Sequence, residues 1–457
     1  MTQLHNKNLS VLAAVRTAVL LLILLVGLAG VSLAYEVNKS AVVLLITKGA
    51  DGKDLATGTA SVIKPDGTLL TNYHVLVDAV SVDAIFADGT VVPVKGILKV
   101  DRQKDFSLLK LGGGIYSTLE LGDSDQLGVF DYVAALGYPS RSVQKGPDSW
   151  QGLLLRSHGF VLGTHRQAYP DFSFIYATTP FSPGFSGGPL FDKDNKVIGV
   201  ATLEGQSINL ALPINHVKPF LNESRLITFD ELREQDKTSM EAIYYRGNFA
   251  LYGLEDPEKA IGLFRQALSL DPDFALAHYD MAVAYRKQGK LDLCIAEYEK
   301  VLAIRPGFPS ALSNLGGQYF RQGKTEKAAE LFRKAIDVYP NFIQALSNLG
   351  ATLNKLGQTD AAVSHLEKAL ALNPEFAVSY YNLGNSFFAA KRFGMAREAY
   401  DAAVRQGIDF LSLHWKLFEI NKREGKNKEA LAELRTILRL DPQNESARQK
   451  LAELEKP

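Results

Sequence analysis

Thiols are almost absent from this 457-residue chain, whose one cysteine is Cys294. That excludes an intramolecular disulfide and a zinc site built on several cysteines. Cys294 falls at a place that takes small residues in a helical pattern, and is read as a small buried apolar side chain. Net charge is absent too, because 50 basic and 50 acidic residues cancel. Without a basic surplus there is no electrostatic footprint for a nucleic-acid backbone, and that class of partner is set aside. Long apolar runs are lacking except at residues 17–34, an uncharged stretch rich in Leu, Val and Ile. Lys7 and Arg16 precede it, and Ser32 and Ala34 give a small-x-small pattern before Tyr35, as at a signal-peptidase site. The run is also just long enough to span a bilayer. Residues 1–35 are therefore expected to be a cleaved signal peptide or a membrane anchor. Either places the rest of the chain outside the cytoplasm, in a periplasm or cell envelope.

What is present changes character near residue 222. Residues 36–222 are rich in Gly, Val and Thr, in short alternating runs such as Ala41–Thr47, Gly58–Ile63 and Lys196–Thr202. Asp66-Gly67 and Asp88-Gly89 supply turns between such runs. Many short strands with Gly/Asp turns predict an all-β barrel or sandwich. Residues 223–238 are polar and read as a short connector with partial helix. From residue 239 the pattern becomes helical and periodic. Pro272, Pro306, Pro340 and Pro374 recur every 34 residues, and Pro442 follows at twice that interval, with Ile408 in the missing place. Leu315-Gly316, Leu349-Gly350 and Leu383-Gly384 keep the same register. So do Ala260, Ala328, Ala362, Ala396 and Ala430, with Cys294 completing the series. The pattern resembles the tetratricopeptide repeat family, six copies over 239–442 with a capping helix in 443–457. The first copy is irregular, with Gly247-Asn248 one place early, and the sixth has Phe418 where the family prefers Gly.

Three segments carry chemistry. In Gly184-Phe185-Ser186-Gly187-Gly188 a serine sits in a glycine-rich turn. Such a turn leaves room for substrate and lets two amides, those of Gly184 and Ser186, converge where an oxyanion would form. Leu70-Thr71-Asn72-Tyr73-His74 places a histidine at a strand end, where a general base is held rigidly. Asp105 directly precedes the apolar run Phe106–Leu109 and could be buried beside His74, to orient and stabilise the imidazole. Asp101 is the competing carboxylate and is read as a solvated loop residue. The other histidines, His5, His158, His165, His216, His278, His365 and His414, do not pair at metal-ligand spacing, so neither metal nor cofactor is expected.

The order His, Asp, Ser on an all-β half excludes the α/β-hydrolase and subtilisin orders. Together the segments resemble the trypsin-like serine proteases, and within them the HtrA/Deg branch. Thr71–Val75, Asp105–Lys110, Leu121–Asp125, Ala135–Pro139 and Ala211–Asn215 are similar to that branch's strands. The resemblance implies a trypsin-like double β-barrel followed by an all-α repeat solenoid. It implies His74 as general base, Asp105 as its orienter, Ser186 as nucleophile, and the Gly184 and Ser186 amides as oxyanion hole. Two departures stand out. Repeats replace the branch's usual PDZ modules. Phe185 stands where digestive relatives carry the aspartate of zymogen activation, so propeptide cleavage is not expected to be needed.

The specificity pocket is expected between Pro180, Phe181 and Ser182 and the strand Ala201, Thr202 and Leu203. Neither segment contains an acid, which predicts a small or medium apolar residue before the scissile bond. The repeats are expected to expose an aromatic stripe of Tyr245, Phe249, Tyr252, Tyr279, Phe320, Tyr381 and Trp415 to a protein ligand. Excising them should then leave short-peptide cleavage intact. The leading reading is an exported serine endopeptidase acting on protein or peptide substrates recruited by its repeats. An inactive protease-like scaffold is the alternative, and an ester hydrolase is a third.

Overall fold

The computed structural model describes residues 37–139, 154–165, 173–204 and 208–455. The apolar run 17–34, and with it the choice between signal peptide and anchor, lies outside the described residues. Among those described, no helix is long and apolar enough to cross a membrane. Two compact units are present, one ending at Pro306 and the other beginning at Gly307.

The strands are β1 (Val42–Lys48), β2 (Asp54–Lys64), β3 (Thr68–Thr71), β4 (Ser81–Ile85), β5 (Val91–Asp101), β6 (Phe106–Leu111), β7 (Tyr132–Gly137), β8 (Leu155–His165), β9 (Phe174–Ala177), β10 (Pro189–Phe191), β11 (Val197–Glu204) and β12 (Ile208–Pro213). They close two antiparallel barrels, in the orders β1-β2-β3-β6-β5-β4 and β10-β11-β12-β9-β8-β7. Closure pairs every strand on both sides and leaves no edge to protect. In the second barrel alternate residues fill the interior, Val133 and Ala135 from β7 and Ile175 and Ala177 from β9, as the two-residue period of a strand requires. The Asp66-Gly67 turn joins β2 to β3. Asp66 Oδ1 accepts from the Thr68 amide at 3.0 Å and its hydroxyl at 2.7 Å, and Gly67 takes φ +83°.

The segment read as a connector is built onto the first barrel. Ile227 and Ile97 exchange backbone hydrogen bonds at 2.9 Å in both directions. Helix α1 (Phe229–Asp236) follows, opened by a capping box between Thr228 and Glu231. Helices α2 (Met240–Tyr252) and α3 (Pro257–Leu270) form the first repeat. Later repeats interlock a small residue of one helix with a large one of its partner. A Cβ added to Gly316, Gly350 or Gly384 would lie 2.9, 2.5 or 2.5 Å from Phe332, Leu366 or Tyr400 respectively. In the first repeat Gly247 does the same against Phe264, at 2.6 Å. Its shift of one place in sequence thus keeps the interlock. In the sixth repeat Phe418 stands in that place and packs with Ala430, Leu434 and Ile437. Cys294 and the alanines of its series are all buried.

Candidate active site

His74 opens a 3-10 turn (His74–Leu76) directly after β3. Asp105 precedes β6, the strand paired to β3, so sheet register brings the two side chains together. His74 Nδ1 and Asp105 Oδ2 are 2.7 Å apart. The His74 amide donates to Asp105 Oδ1 at 2.9 Å, and the Thr202 hydroxyl donates to Oδ2 at 3.0 Å. The buried carboxylate is thus held by three donors on the imidazole side. Its backbone takes φ +55°, a left-handed conformation costing about 1 kcal/mol. Asn72 Nδ2, donating to the Asp105 carbonyl at 2.8 Å, secures it. Asp101 instead closes its own turn, accepting from the Lys104 amide at 2.9 Å and pairing with its ammonium at 3.2 Å.

Ser186 belongs to the second barrel, in the turn before β10, and that turn is pressed against the strands leading to His74. The Ser186 carbonyl accepts from the Thr59 amide at 2.8 Å. The Thr59 hydroxyl donates to the Gly184 carbonyl at 2.7 Å and accepts from the Tyr138 amide at 3.0 Å. Gly187, at φ +85°, fits so closely that a Cβ would meet the Thr59 carbonyl and Thr71 hydroxyl oxygens at 2.2 Å. A Cβ on Gly58 would meet Val75, next to His74, at 2.8 Å and the Ser186 carbonyl oxygen at 3.2 Å. The Phe185 amide is spent on the Ser182 carbonyl at 2.9 Å. Among the described residues the Gly184 and Ser186 amides have no protein acceptor. Two unspent donors in one tight turn are what an oxyanion would need.

Of the residues expected to line the specificity pocket, Thr202 is turned to Asp105, because its hydroxyl is the carboxylate's third donor. Phe181 packs on the second barrel's core and edge-on to Phe185, with centroids 6.5 Å apart. Pro180 is exposed, Ser182 half-buried and Ala201 buried. Leu203 pairs with Asn209 in the sheet. The aromatic stripe is corrected. Of its seven members only Phe249 is exposed, at 39%. Tyr279 is buried, Tyr252 donates its hydroxyl to Asp280 at 2.7 Å, and Lys355 lies over Phe320. Tyr381 packs edge-on to Phe410, and Trp415 edge-on to Phe418. Tyr245 packs against Tyr73 of the first barrel. Stacking each helix on the next covers faces that the 34-residue period alone leaves outward. Thr59 was not singled out from the sequence, although its place directly after Gly58 was the available signal.

Both halves of the chain match known protein families. Residues 58–200 match the model of a trypsin-like peptidase domain. Tetratricopeptide repeat models match 250–289, 273–341, 307–375 and 347–409. A probable periplasmic serine endoprotease, DegP-like, of Pseudomonas putida (strain W619) is 34% identical over 31% of this chain and 28% of its own. Its counterpart in Rickettsia conorii is 31% identical over 37% of this chain and 34% of its own. A solved HtrA-type protease with a tripeptide is 24% identical, covering 40% of this chain and 58% of its own, with a TM-score of 0.35. The chain therefore joins a trypsin-like peptidase domain to tetratricopeptide repeats. Within that class the peptidase domain is similar to the HtrA/DegP serine endoproteases, and the chain spans about a third or less of those relatives' length.

Proposed function

We propose that the chain is a serine endopeptidase in which Ser186 is nucleophile, His74 general base and Asp105 its orienter. The observation that carries this reading is the Asp105 carboxylate, buried and held on His74 Nδ1 while the Ser186 turn is pinned on the neighbouring strands. Asp105 keeps the proton on Nδ1, so Nε2 is free to accept. In the proposed reaction Ser186 Oγ attacks the scissile carbonyl as Nε2 takes its proton. The Gly184 and Ser186 amides receive the oxyanion, and the imidazolium then protonates the departing amine. Water repeats the cycle to release the acyl group. Ser186→Ala should abolish turnover, a loss of several orders of magnitude, with the fold unchanged. Cleavage of casein and labelling by a fluorophosphonate check this. A folded wild-type chain that neither cleaves nor labels would favour the inactive scaffold.

The site residues without an acid, Pro180, Phe181, Ser182 and Ala201, support a preference for small or medium apolar residues before the scissile bond. A peptide-library profile dominated by cleavage after Lys or Arg would refute it. The names of the relatives and the apolar run 17–34 support export to a periplasm or envelope. Tetratricopeptide repeats stack into protein-binding surfaces, which supports recruitment of a protein partner or substrate by residues 239–442. Affinity capture on the Ser186→Ala chain tests that role.

A further inference from the structure

Helix α2 belongs to the repeats by its period, yet it grips both loops that carry His74 and Asp105. The Tyr245 ring meets Tyr73 edge-on, with centroids 5.6 Å apart and planes at 72°. It lies 6.0 Å from the His74 imidazole at an interplanar angle of 30°. Its hydroxyl donates to the Arg102 carbonyl, three residues before Asp105, at 3.3 Å. The adjacent Arg246 holds Asp78, four residues after His74, through Nε at 2.9 and 3.0 Å and Nη2 at 2.8 Å. Asp78 has φ +63°, so this forked pair fixes a strained turn directly behind the histidine. At the end of α1, fully buried Asp236 accepts from Arg102 Nε at 2.8 Å and Nη2 at 2.6 Å. Burial, with Asp236 close by, pushes the Tyr73 phenol far above its ordinary range.

We propose that the first repeat is a wall of the substrate cleft, with Tyr245 as a specificity-determining contact for the substrate side chain that lies beside the imidazole. This rests on the peptidase reading above. The His74 side chain keeps 27% of its surface exposed, so substrate can reach it, and Tyr245 is only half-buried, so its ring has surface left to offer. An aromatic face there desolvates an apolar side chain and rewards its size. Charge pairs at a surface add little stability, so the Asp78–Arg246 fork acts chiefly to set where the ring stands. A cut after residue 238 then removes part of the cleft and impairs short-peptide cleavage, contrary to the expectation from sequence.

The test uses the full chain and short chromogenic peptides varied at the two residues before the scissile bond. Tyr245→Ala should raise KM about tenfold for peptides with an apolar residue beside the imidazole, the size of effect expected for a lost apolar contact, with a smaller change in kcat. Tyr245→Phe should recover most of that loss, because the ring and not the hydroxyl makes the contact. Should Tyr245→Ala fail to fold, Arg246→Gln, which releases the helix, should raise KM in the same peptides. Wild-type KM across the set in folded Tyr245→Ala, with wild type active, overturns the wall and leaves the peptidase reading standing. A wild-type chain that takes no fluorophosphonate and cleaves nothing overturns both.

Discussion

The first repeat and the later ones are built by one rule and surrounded differently. Gly247 against Phe264 repeats the interlock of Gly350 against Leu366. The helices' other faces diverge. In the first repeat Tyr245 and Arg246 meet Tyr73, His74 and Asp78 of a barrel. Counting by 34 residues from Tyr245, the later repeats carry Tyr279, Ser313, Ser347, Tyr381 and Trp415. Tyr381 turns to Phe410 and donates or accepts a hydrogen bond with Ser412 at 2.9 Å. A 34-residue period thus specifies how a repeat holds together and leaves open what it holds on to.

The largest effect should follow from breaking the anchor of the docked segment. Arg102→Met leaves Asp236 buried without its cation, which should cost about 3–5 kcal/mol. Hydrogen exchange should show the loss in the unit ending at Pro306, with helices from Pro309 onward unchanged. Equal loss of protection in both units would erase the distinction between docked and later repeats.

A smaller effect sharpens the comparison. Gly247→Val and Gly350→Val both force a side chain into a filled interlock, at about 1–3 kcal/mol each. Both should lower the melting temperature, but only Gly247→Val should slow short-peptide cleavage, because only its helix carries Tyr245. Equal peptidase loss in the two variants would contradict this.

The smallest effect is a control within the first barrel, away from both kinds of repeat. Burial raises the Asp66 pKa, but hydrogen bonds from Lys110 and Thr68 outweigh it and bring it down to about 2 from 3.8. A lowered carboxylate pKa stabilises the fold above the unfolded value, and that contribution fades as pH falls toward about 2. Because the side chain is 55% exposed, Asp66→Asn should cost under about 1 kcal/mol at neutral pH. The gap between variant and wild type in urea titrations should narrow from about pH 5 down to about pH 2. A gap independent of pH would assign the hairpin's stability to packing, for instance of Gly67 on Tyr116.

The double barrel and the repeats were legible because each is written locally, and the segments of His74, Asp105 and Ser186 could be picked out for the same reason. Alternation marks strands, a fixed period marks helix pairs, and glycines around a serine mark a tight turn. The exposed aromatic stripe was misread because helical register says which side chains leave the axis together, not which neighbour then covers them. Thr202 was assigned to a pocket wall, and its hydroxyl's choice of Asp105 depended on the two barrels meeting. Asp78 and Arg246 are separated by 168 residues, and Arg102 and Asp236 by 134. The sequence by itself determined the two architectures, since short-range periodicity and turn chemistry suffice for those. Only the tertiary structure decided that Thr59 pins the turn of Ser186 and that a repeat helix stands beside His74. Contacts between distant segments arise when surfaces complement each other, and no local pattern records that.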